Sequence, residues 1–140
     1  MEELLRNCMV FRDGIIEALK SGLLSDSMSS FPKGCCGDSA LLLGTYLTDI
    51  GFGDFTYVCG ERWSDASSDW ISHAWLTQDS LIIDITKTQF HDCPDDITVI
   101  EWSEWYDSFE VTQTFPAYIN GSDDQLESYY NSIVEIIKNT

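Results

Sequence analysis

Apolar residues recur at helical spacing in three parts of the chain, and residues typical of β-strands lie between the second and the third. The first helical stripe covers residues 2–20. The second begins at two adjacent cysteines, Cys35 and Cys36, and ends near Gly51, because glycine commonly follows the last turn of a helix. The third covers residues 123–138, where apolar residues form a broad face. The pattern therefore predicts three helices.

Between these helices, short runs of β-branched and aromatic residues predict antiparallel strands. The expected strands cover residues 55–60, 71–76, 81–86 and 97–102. Polar stretches connect them: 61–70, a four-residue hairpin loop at 77–80, and a loop at 90–96. Residues 103–118 give no clear pattern. Two helices, then mostly antiparallel strands, then a closing helix predict an α+β fold, with residues 1–140 as a single domain.

The charge balance is strongly acidic, with 24 Asp and Glu residues against 7 Lys and Arg and a formal net charge of −17. Nucleic-acid binding is therefore disfavoured, because phosphate contacts need clustered positive charge. Two explanations of the acidity stay open. It serves solubility alone, or it attracts a basic protein partner or a cationic substrate, which an electric field of this size would steer toward the protein.

The sequence predicts a cytoplasmic protein that does not enter the membrane. No apolar run approaches the roughly 18 residues of a membrane span, and the start Met1-Glu2-Glu3 lacks the basic and apolar regions of a signal peptide. The five cysteines are an odd number without a Cys-x-x-Cys pair, so we expect free thiols in a reducing compartment. Because there are only two histidines as well, we expect no metal and no other cofactor.

The strongest candidates for chemistry are the cysteines at the start of the second helix. Unpaired backbone N–H groups and the helix dipole favour negative charge there, and such a position lowers the pKa of a thiol from about 8.5 toward neutrality. The alternative is a structural cysteine buried in the core. His73 on one predicted strand and Asp84 on the next favour a catalytic role, because a thiol, a base and an orienting carboxylate can act together.

The predicted hairpin brings His73 and Asp84 together. If residues 77–80 form the loop, Leu76 pairs with Leu81. His73 then directly faces Asp84 on the same side of the sheet, with Cβ atoms about 4.5–5.5 Å apart. A shift of one residue would move Asp84 to the other side. The imidazole would then lose its carboxylate partner.

Both residues also have purely structural interpretations. His73 could be a core histidine whose hydrogen bonds are satisfied. Asp84 interrupts the apolar run Leu-Ile-Ile-Asp-Ile, and a buried charge needs a partner. Arg62 or Lys87 could provide that partner in place of the histidine.

Four segments between about residues 31 and 90 resemble the transglutaminase-like branch of the papain-like fold, in residue type, order and spacing. They are Gly34-Cys35-Cys36 with Asp38, Ser39 and Ala40, the strand Tyr57-Val58-Cys59-Gly60, the strand His73-Ala74-Trp75, and Ile83-Asp84-Ile85-Thr86. This resemblance implies a papain-like core in which a central helix packs on an antiparallel sheet.

The resemblance also implies a catalytic triad, with Cys36 as nucleophile, His73 as base and Asp84 as the orienting residue. The implied activity is thiol-dependent acyl transfer on amide bonds of a peptide or protein substrate, as in a cysteine protease, a deamidase or a transglutaminase. The sequence departs from the family pattern in two ways. Cys35 is a rival nucleophile, and no upstream glutamine is evident for an oxyanion hole, which leaves the backbone N–H of Cys36 as the candidate.

Two other functions remain open at the level of sequence. A small acidic immunity-type or inhibitor-type protein could keep an enzyme fold and neutralise a basic toxin or enzyme, and the net charge of −17 fits this alternative. The chain could also be a catalytically inactive structural domain. The acidic residues are spread over 61–69, 92–110 and 123–135 and form no single block, which favours the enzyme over the acidic binder.

Overall fold

The computed structural model describes four helices and five strands. The described residues are 2–24, 28, 31, 36–86, 99–101, 103–119, 121 and 123–140, and of Cys36 only the backbone is described. The helices are α1 Glu2–Lys20, α2 Cys36–Asp49, α3 Glu104–Asp107 and α4 Asp124–Lys138. The strands are β1 Thr56–Ser64, β2 Asp69–Gln78, β3 Leu81–Ile83, β4 Val99–Glu101 and β5 Glu110–Pro116. In the described part of the chain, no helix has the length and apolar character needed to cross a membrane.

The strands form one antiparallel sheet in the order β4-β3-β2-β1-β5. Helix α2 contacts β1 and β2 as well as the two terminal helices, and α1 also packs against α4. The predicted α+β class is therefore confirmed, with α2 in a central position on the sheet.

The three predicted helices are present. Helix α1 has the predicted bounds, and α4 begins after Asp123, whose side chain caps the helix by accepting a hydrogen bond from the backbone N–H of Leu126 at 3.1 Å. Helix α2 ends in a left-handed turn at Gly51, where φ is 101°. The N–H of Phe52 donates to the carbonyl of Leu47 at 3.0 Å, which is the hydrogen bond between the first and sixth residues of a Schellman motif. The predicted glycine end of α2 is confirmed.

The carboxylate of Asp49 anchors the far end of α2. The hydroxyls of Tyr118 and Tyr130 each donate a hydrogen bond to it, both at 2.7 Å. Tyr118 follows β5 and Tyr130 belongs to α4, so one side chain joins three parts of the fold. Burial and the Asp49 carboxylate both raise the pKa of the Tyr130 phenol, which therefore stays a hydrogen-bond donor.

Apolar side chains cover both faces of the sheet. One face and the helices α1, α2 and α4 enclose the larger core, which we call the helix-side core. On the other face lies a smaller group, the aromatic cluster, formed by Val58, Trp75, Ile82, Trp105, Tyr106 and Phe109. Strand β2 contributes Ala74 and Leu76 to the first and Trp75 to the second, because successive strand residues point to opposite faces.

The hairpin of β1 and β2 is longer than expected. Residues 61–64 continue β1 and residues 69 and 70 begin β2, so the prediction of a polar connection over 61–70 is wrong at both its ends. Trp63 pairs with Trp70 near the tip, and their rings meet edge to face with centroids 6.0 Å apart. This aromatic pair supports strand structure in residues whose polar neighbours resemble a loop.

The loop between β2 and β3 is shorter than expected. Gln78 pairs with Leu81, which leaves only Asp79 and Ser80 in the loop, so the four-residue loop at 77–80 is wrong. The side-chain amide of Gln78 donates to the carbonyl oxygens of Phe52 and Asp54 at 2.8 and 3.1 Å, which keeps this polar residue in the strand. Asp79 takes the left-handed conformation with φ of 53°, which aspartate tolerates better than most residues.

The remaining strands differ from the prediction in length and number. Strand β3 ends at Ile83, before the predicted end at 86, and β4 lies inside the predicted 97–102, of which 97, 98 and 102 lie outside the described residues. The loop predicted at 90–96 also lies outside them. Helix α3 and strand β5 occupy the part of the chain that gave no clear pattern.

Candidate functional site

His73 lies in the middle of β2, and its side chain is fully buried, with 0% of its surface exposed. Its backbone pairs with Gly60 on β1. Its ring lies among four aromatic rings at centroid distances of 5.8 to 6.5 Å, those of Trp75, Trp105, Tyr106 and Phe109. The imidazole is therefore held in one place by packing, inside the aromatic cluster.

Asp84 directly follows β3 and is 3% exposed. Its Oδ2 atom lies 2.6 Å from Nε2 of His73 and accepts a second hydrogen bond from the hydroxyl of Tyr106 at 2.8 Å. Its Oδ1 atom accepts from the backbone N–H of Thr86 at 2.8 Å and from the Thr86 hydroxyl at 3.2 Å. Four hydrogen bonds thus fix the carboxylate and point one oxygen at the histidine.

The predicted contact between His73 and Asp84 is present, although the predicted register is wrong. The pairing of Gln78 with Leu81, continued past the end of β3, would place Thr86 opposite His73. Asp84 is then two residues from the directly opposite position. Because side chains alternate with a period of two, a shift of two residues leaves Asp84 on the predicted face. The two side chains meet diagonally.

The environment of Asp84 keeps its carboxyl group ionised. Burial by itself would raise the pKa of Asp84, but the charge of His73 and the hydrogen bonds from His73, Thr86 and Tyr106 outweigh burial and hold the pKa below its ordinary value. An ionised Asp84 makes His73 the hydrogen-bond donor at Nε2. It therefore orients the other ring nitrogen, Nδ1, and stabilises a positively charged imidazole.

The alternative partners suggested for Asp84 lie elsewhere or outside the described residues. The Arg62 guanidinium lies over the rings of Trp105 and Phe109, at 5.1 and 4.8 Å from their centroids, and donates to the Ser108 hydroxyl at 3.1 Å. Lys87 lies outside the described residues. The histidine is thus the observed partner of the buried carboxylate.

The proposed nucleophile is located through the backbone of α2. Cys36 is the first residue of this helix, and its side chain lies outside the described residues, as do Gly34 and Cys35. The next residue, Gly37, lies against β1, because a Cβ atom added there would be 3.1 Å from the hydroxyl of Tyr57. The start of α2 is therefore held close to the sheet.

The first turns of α2 also lie next to the segment that carries the carboxylate. Ser39 and Ala40 line a small cavity of about 10 Å³ together with Asp84 and Thr86. Asp84 lies at the border between the two sides of the sheet, because the neighbouring Ile85 belongs to the helix-side core. The first turns of α2 are therefore close to the carboxylate that holds the imidazole.

Two other cysteines are described, and both are free thiols. Cys8 is buried in α1, and burial raises the pKa of its thiol to about 12. Cys59 is partly buried against the helix-side core. Cys93 lies outside the described residues. Neither described thiol lies at a helix start, where a thiolate would be stabilised.

Sequence reasoning did not identify two of the residues that hold the carboxylate. Thr86 appeared only as part of a family motif, yet its position two residues after Asp84 is the spacing at which an aspartate accepts from the backbone. Tyr106 gave no signal, because it lies on α3, a helix of four residues that is too short for an apolar period. Both donate hydrogen bonds to Asp84.

Within the described ranges, no group of three or more His, Cys, Asp and Glu side chains is placed to hold a metal ion. Comparison of the chain with protein-family models, curated proteins and solved structures found no match. The resemblance to the transglutaminase-like branch therefore remains a prediction from the motifs. The structure itself establishes an α+β fold with a buried histidine–aspartate pair beside the start of a central helix.

Proposed function

We propose that the chain is a thiol-dependent acyl-transfer enzyme of the transglutaminase-like, papain-like type, acting on amide bonds of a peptide or protein. Cys36 is the nucleophile, His73 the base and Asp84 the residue that orients the base. The observation that carries the proposal is the buried contact of 2.6 Å between His73 and Asp84, next to the start of α2.

Packing alone does not explain the buried pair of His73 and Asp84. A buried ion pair stabilises a fold no better, in general, than apolar residues of the same volume. Here apolar residues surround the pair, and Asp84 accepts four hydrogen bonds that fix a single orientation of the imidazole. A fixed imidazole beside a helix start that favours a thiolate is the arrangement that nucleophilic cysteine chemistry needs.

In the proposed reaction, the thiolate of Cys36 attacks the amide carbonyl carbon and forms a tetrahedral intermediate. The backbone N–H of Cys36, one of the N–H groups that a helix start leaves without an intrahelical partner, donates to the oxyanion. His73 as imidazolium gives its proton to the departing amine, the C–N bond breaks, and a thioester remains. Asp84 stabilises the charged imidazole throughout.

The second half of the reaction decides the product. Water or an amine attacks the thioester, His73 takes a proton from the attacker, and the thiolate of Cys36 leaves. Water yields peptide cleavage or deamidation, and an amine yields transamidation. The same three residues support all of these outcomes, and no cofactor takes part.

The reactivity of the thiols tests the proposal. We expect brief treatment with iodoacetamide near pH 6.5, followed by peptide mapping, to label Cys36 first, because an ordinary thiol becomes reactive only near its pKa of about 8.5. Cys8 is an internal reference that should stay unlabelled, since burial raises the pKa of its thiol to about 12. The variant Cys35→Ser removes the rival thiol and should leave the rate at Cys36 unchanged. Earlier labelling of Cys35 or Cys59 would show that the nucleophile is wrongly assigned.

A further inference from the structure

Two tryptophans are exposed at the tip of the β1–β2 hairpin. Trp63 is 51% exposed and Trp70 is 60% exposed, and their rings meet edge to face with centroids 6.0 Å apart. We call this pair the tryptophan platform. Large aromatic side chains are usually buried in a core or an interface, so an exposed adjacent pair indicates a contact surface.

The tryptophan platform lies on the same face of the sheet as the start of α2. Along β1 and β2, alternation places Trp63 and Trp70 on the same face as Tyr57 and Leu76, which is the face on which α2 packs. Trp63 is six residues from Tyr57 on β1, about 20 Å along the strand, and Gly37 at the start of α2 lies against the Tyr57 hydroxyl. An extended peptide of about six residues is long enough to reach from the start of α2 to the platform.

The surroundings of the tryptophan platform are negatively charged. Glu61 lies on the same face of β1 as Trp63 and is exposed. The indole N–H of Trp63 donates to the Asp65 carboxylate at 3.1 Å, and the Asp69 carboxylate accepts the backbone N–H of Trp70 at 2.7 Å. Aromatic faces combined with carboxylates attract the ammonium of lysine and the guanidinium of arginine.

The net charge of −17 disfavours two other common occupants of an exposed aromatic pair. A second copy of the chain carries the same net charge of −17 and is repelled. A membrane with anionic headgroups is repelled for the same reason. The one basic residue in 61–72 is Arg62, whose guanidinium lies over Trp105 on the opposite face. The tryptophan platform thus combines aromatic rings with neighbouring carboxylates.

We propose that the tryptophan platform binds lysine or arginine side chains of the substrate, about six residues along an extended peptide from the reacting amide. This inference rests on the proposed function, which it deepens by naming basic peptides and proteins as the substrate class. Two cation–π contacts, together with the carboxylates of Asp65 and Asp69, supply the recognition.

The test measures peptide binding to the full chain carrying Cys36→Ala, which prevents turnover. The probes are a capped lysine hexamer and a capped glutamine hexamer, titrated calorimetrically at low salt. The double variant Trp63→Leu with Trp70→Leu should raise the Kd for the lysine hexamer about five- to thirtyfold, while Trp63→Phe with Trp70→Phe should raise it less, because phenyl rings still bind cations. The glutamine hexamer should bind much more weakly than the lysine hexamer.

A charge-matched pair of variants separates local recognition from the overall charge. Asp65→Asn with Asp69→Asn at the platform, and Asp13→Asn with Glu17→Gln on the exposed side of α1, each remove two negative charges. The first should weaken binding of the lysine hexamer several-fold more than the second. An unchanged Kd in the leucine variant, equal weakening by both charge variants, or a dimer that dissociates in the leucine variant would each overturn the inference.

The alkylation of Cys36 in the unmodified chain distinguishes the two proposals. If the lysine hexamer binds in a tryptophan-dependent manner while Cys36 is no more reactive than Cys59, the acyl-transfer proposal fails and the tryptophan platform stands as a binding site for basic peptides. If Cys36 is reactive and the leucine variant binds the lysine hexamer as tightly as the parent chain, the inference about the platform is overturned and the enzyme proposal stands.

Discussion

Asp84 carries a negative charge inside the protein, and its four hydrogen bonds come from three residues: His73, Thr86 and Tyr106. Leaving one partner of such a buried pair uncompensated costs about 3–5 kcal/mol of stability. The same contacts decide which nitrogen of the imidazole faces the carboxylate. Stability and the proposed reactivity therefore depend on one set of atoms, and experiments at this site have to separate the two effects.

The variant Asp84→Asn separates charge from size. We expect alkylation of Cys36 near pH 6.5 to slow by about tenfold or more, because the amide no longer stabilises a charged His73 or fixes its tautomer. The matched control is Asp79→Asn, an equal change on the exposed loop of the same hairpin. Circular dichroism should show that both variants are folded. A rate equal to that of the parent chain in folded Asp84→Asn would leave Asp84 a purely structural role.

The pKa of Asp84 also predicts how stability depends on pH. Its pKa is lower in the folded protein than the value of about 3.9 in an unfolded chain. The ionised carboxylate therefore stabilises the fold above about pH 4, and this contribution is lost as the pH falls through the folded value. Urea unfolding of the parent chain and of Asp84→Asn should give a difference in stability that shrinks as the pH falls below about 4.

A control for the acid experiment keeps the charge and removes one hydrogen bond. Tyr106→Phe loses the hydroxyl that donates to Asp84, so it should be less stable than the parent chain by about 1.5–3 kcal/mol at neutral pH. It should keep the loss of stability in acid. If the difference between the parent chain and Asp84→Asn stays constant down to pH 3, the pKa of Asp84 is not lowered by folding.

The sequence predicts which side chains are neighbours where the alternation of side chains along a strand is enough to determine the contact. The shared face of His73 and Asp84 follows from a period of two, and the two-residue error in the loop leaves it intact. The Tyr106 contact depends on how α3 packs against the sheet, which no local pattern determines. The contact of the histidine could therefore be predicted, and the contact of the tyrosine could not.

Among the elements, length and burial separate what was predictable from what was not. Helices α1 and α4 have 19 and 15 residues and one buried face, so their apolar period is plain. Strand β5 lies at the edge of the sheet with all seven residues exposed, so its sequence does not alternate. The Gln78 amide holds a polar residue in β2 through contacts with a distant turn, and distant contacts leave no local pattern.

Helix α2 packs closely against the chain that follows β5. A Cβ atom added at Gly44 would lie 2.5 Å from the carbonyl oxygen and 2.6 Å from the Cβ of Ala117. Because backbone cannot move aside as a side chain does, Gly44→Ala should lower the free energy of unfolding by about 1–3 kcal/mol, despite the better helix propensity of alanine. Urea unfolding measures this change.

The control for Gly44 is the buried glycine of α1. At Gly14 an added Cβ would lie 3.1 Å from side-chain atoms of Ile133 and Ile137, which can adjust their rotamers. Gly14→Ala should therefore cost less stability than Gly44→Ala. If Gly44→Ala is as stable as the parent chain, α2 is not packed as closely on Ala117 as the structure indicates.

For the whole molecule, the net charge of −17 supports either a solvated enzyme or an acidic binder of a basic protein. The variant Cys36→Ala distinguishes them, because it removes the thiol and keeps all 24 acidic side chains. For an enzyme it should abolish the biological effect, while Cys59→Ala should keep it. We expect this loss, since the thiol is the group that reacts.

If the protein is an acidic binder of a basic protein, the opposite result is expected for Cys36→Ala. A basic partner would associate fast, with an affinity that falls steeply as salt rises toward about 0.15 M, because charge attraction is screened. Cys36→Ala would then bind and protect as well as the parent chain. Full biological activity of a folded Cys36→Ala protein would overturn the enzyme proposal and favour the acidic binder.

The hydrogen bonds of Tyr118 and Tyr130 to Asp49 hold the C-terminal end of α2 in place, so a small tilt there displaces the other end of the helix. The helix has 14 residues and is about 20 Å long, with its fixed end at Asp49 and Cys36 at the other end. A tilt of about 3° at the fixed end would move the backbone of Cys36 by about 1 Å, and a misplacement of that size can slow a reaction about a hundredfold. A change in these two phenol hydrogen bonds would therefore alter the position of the proposed nucleophile from the opposite end of the helix.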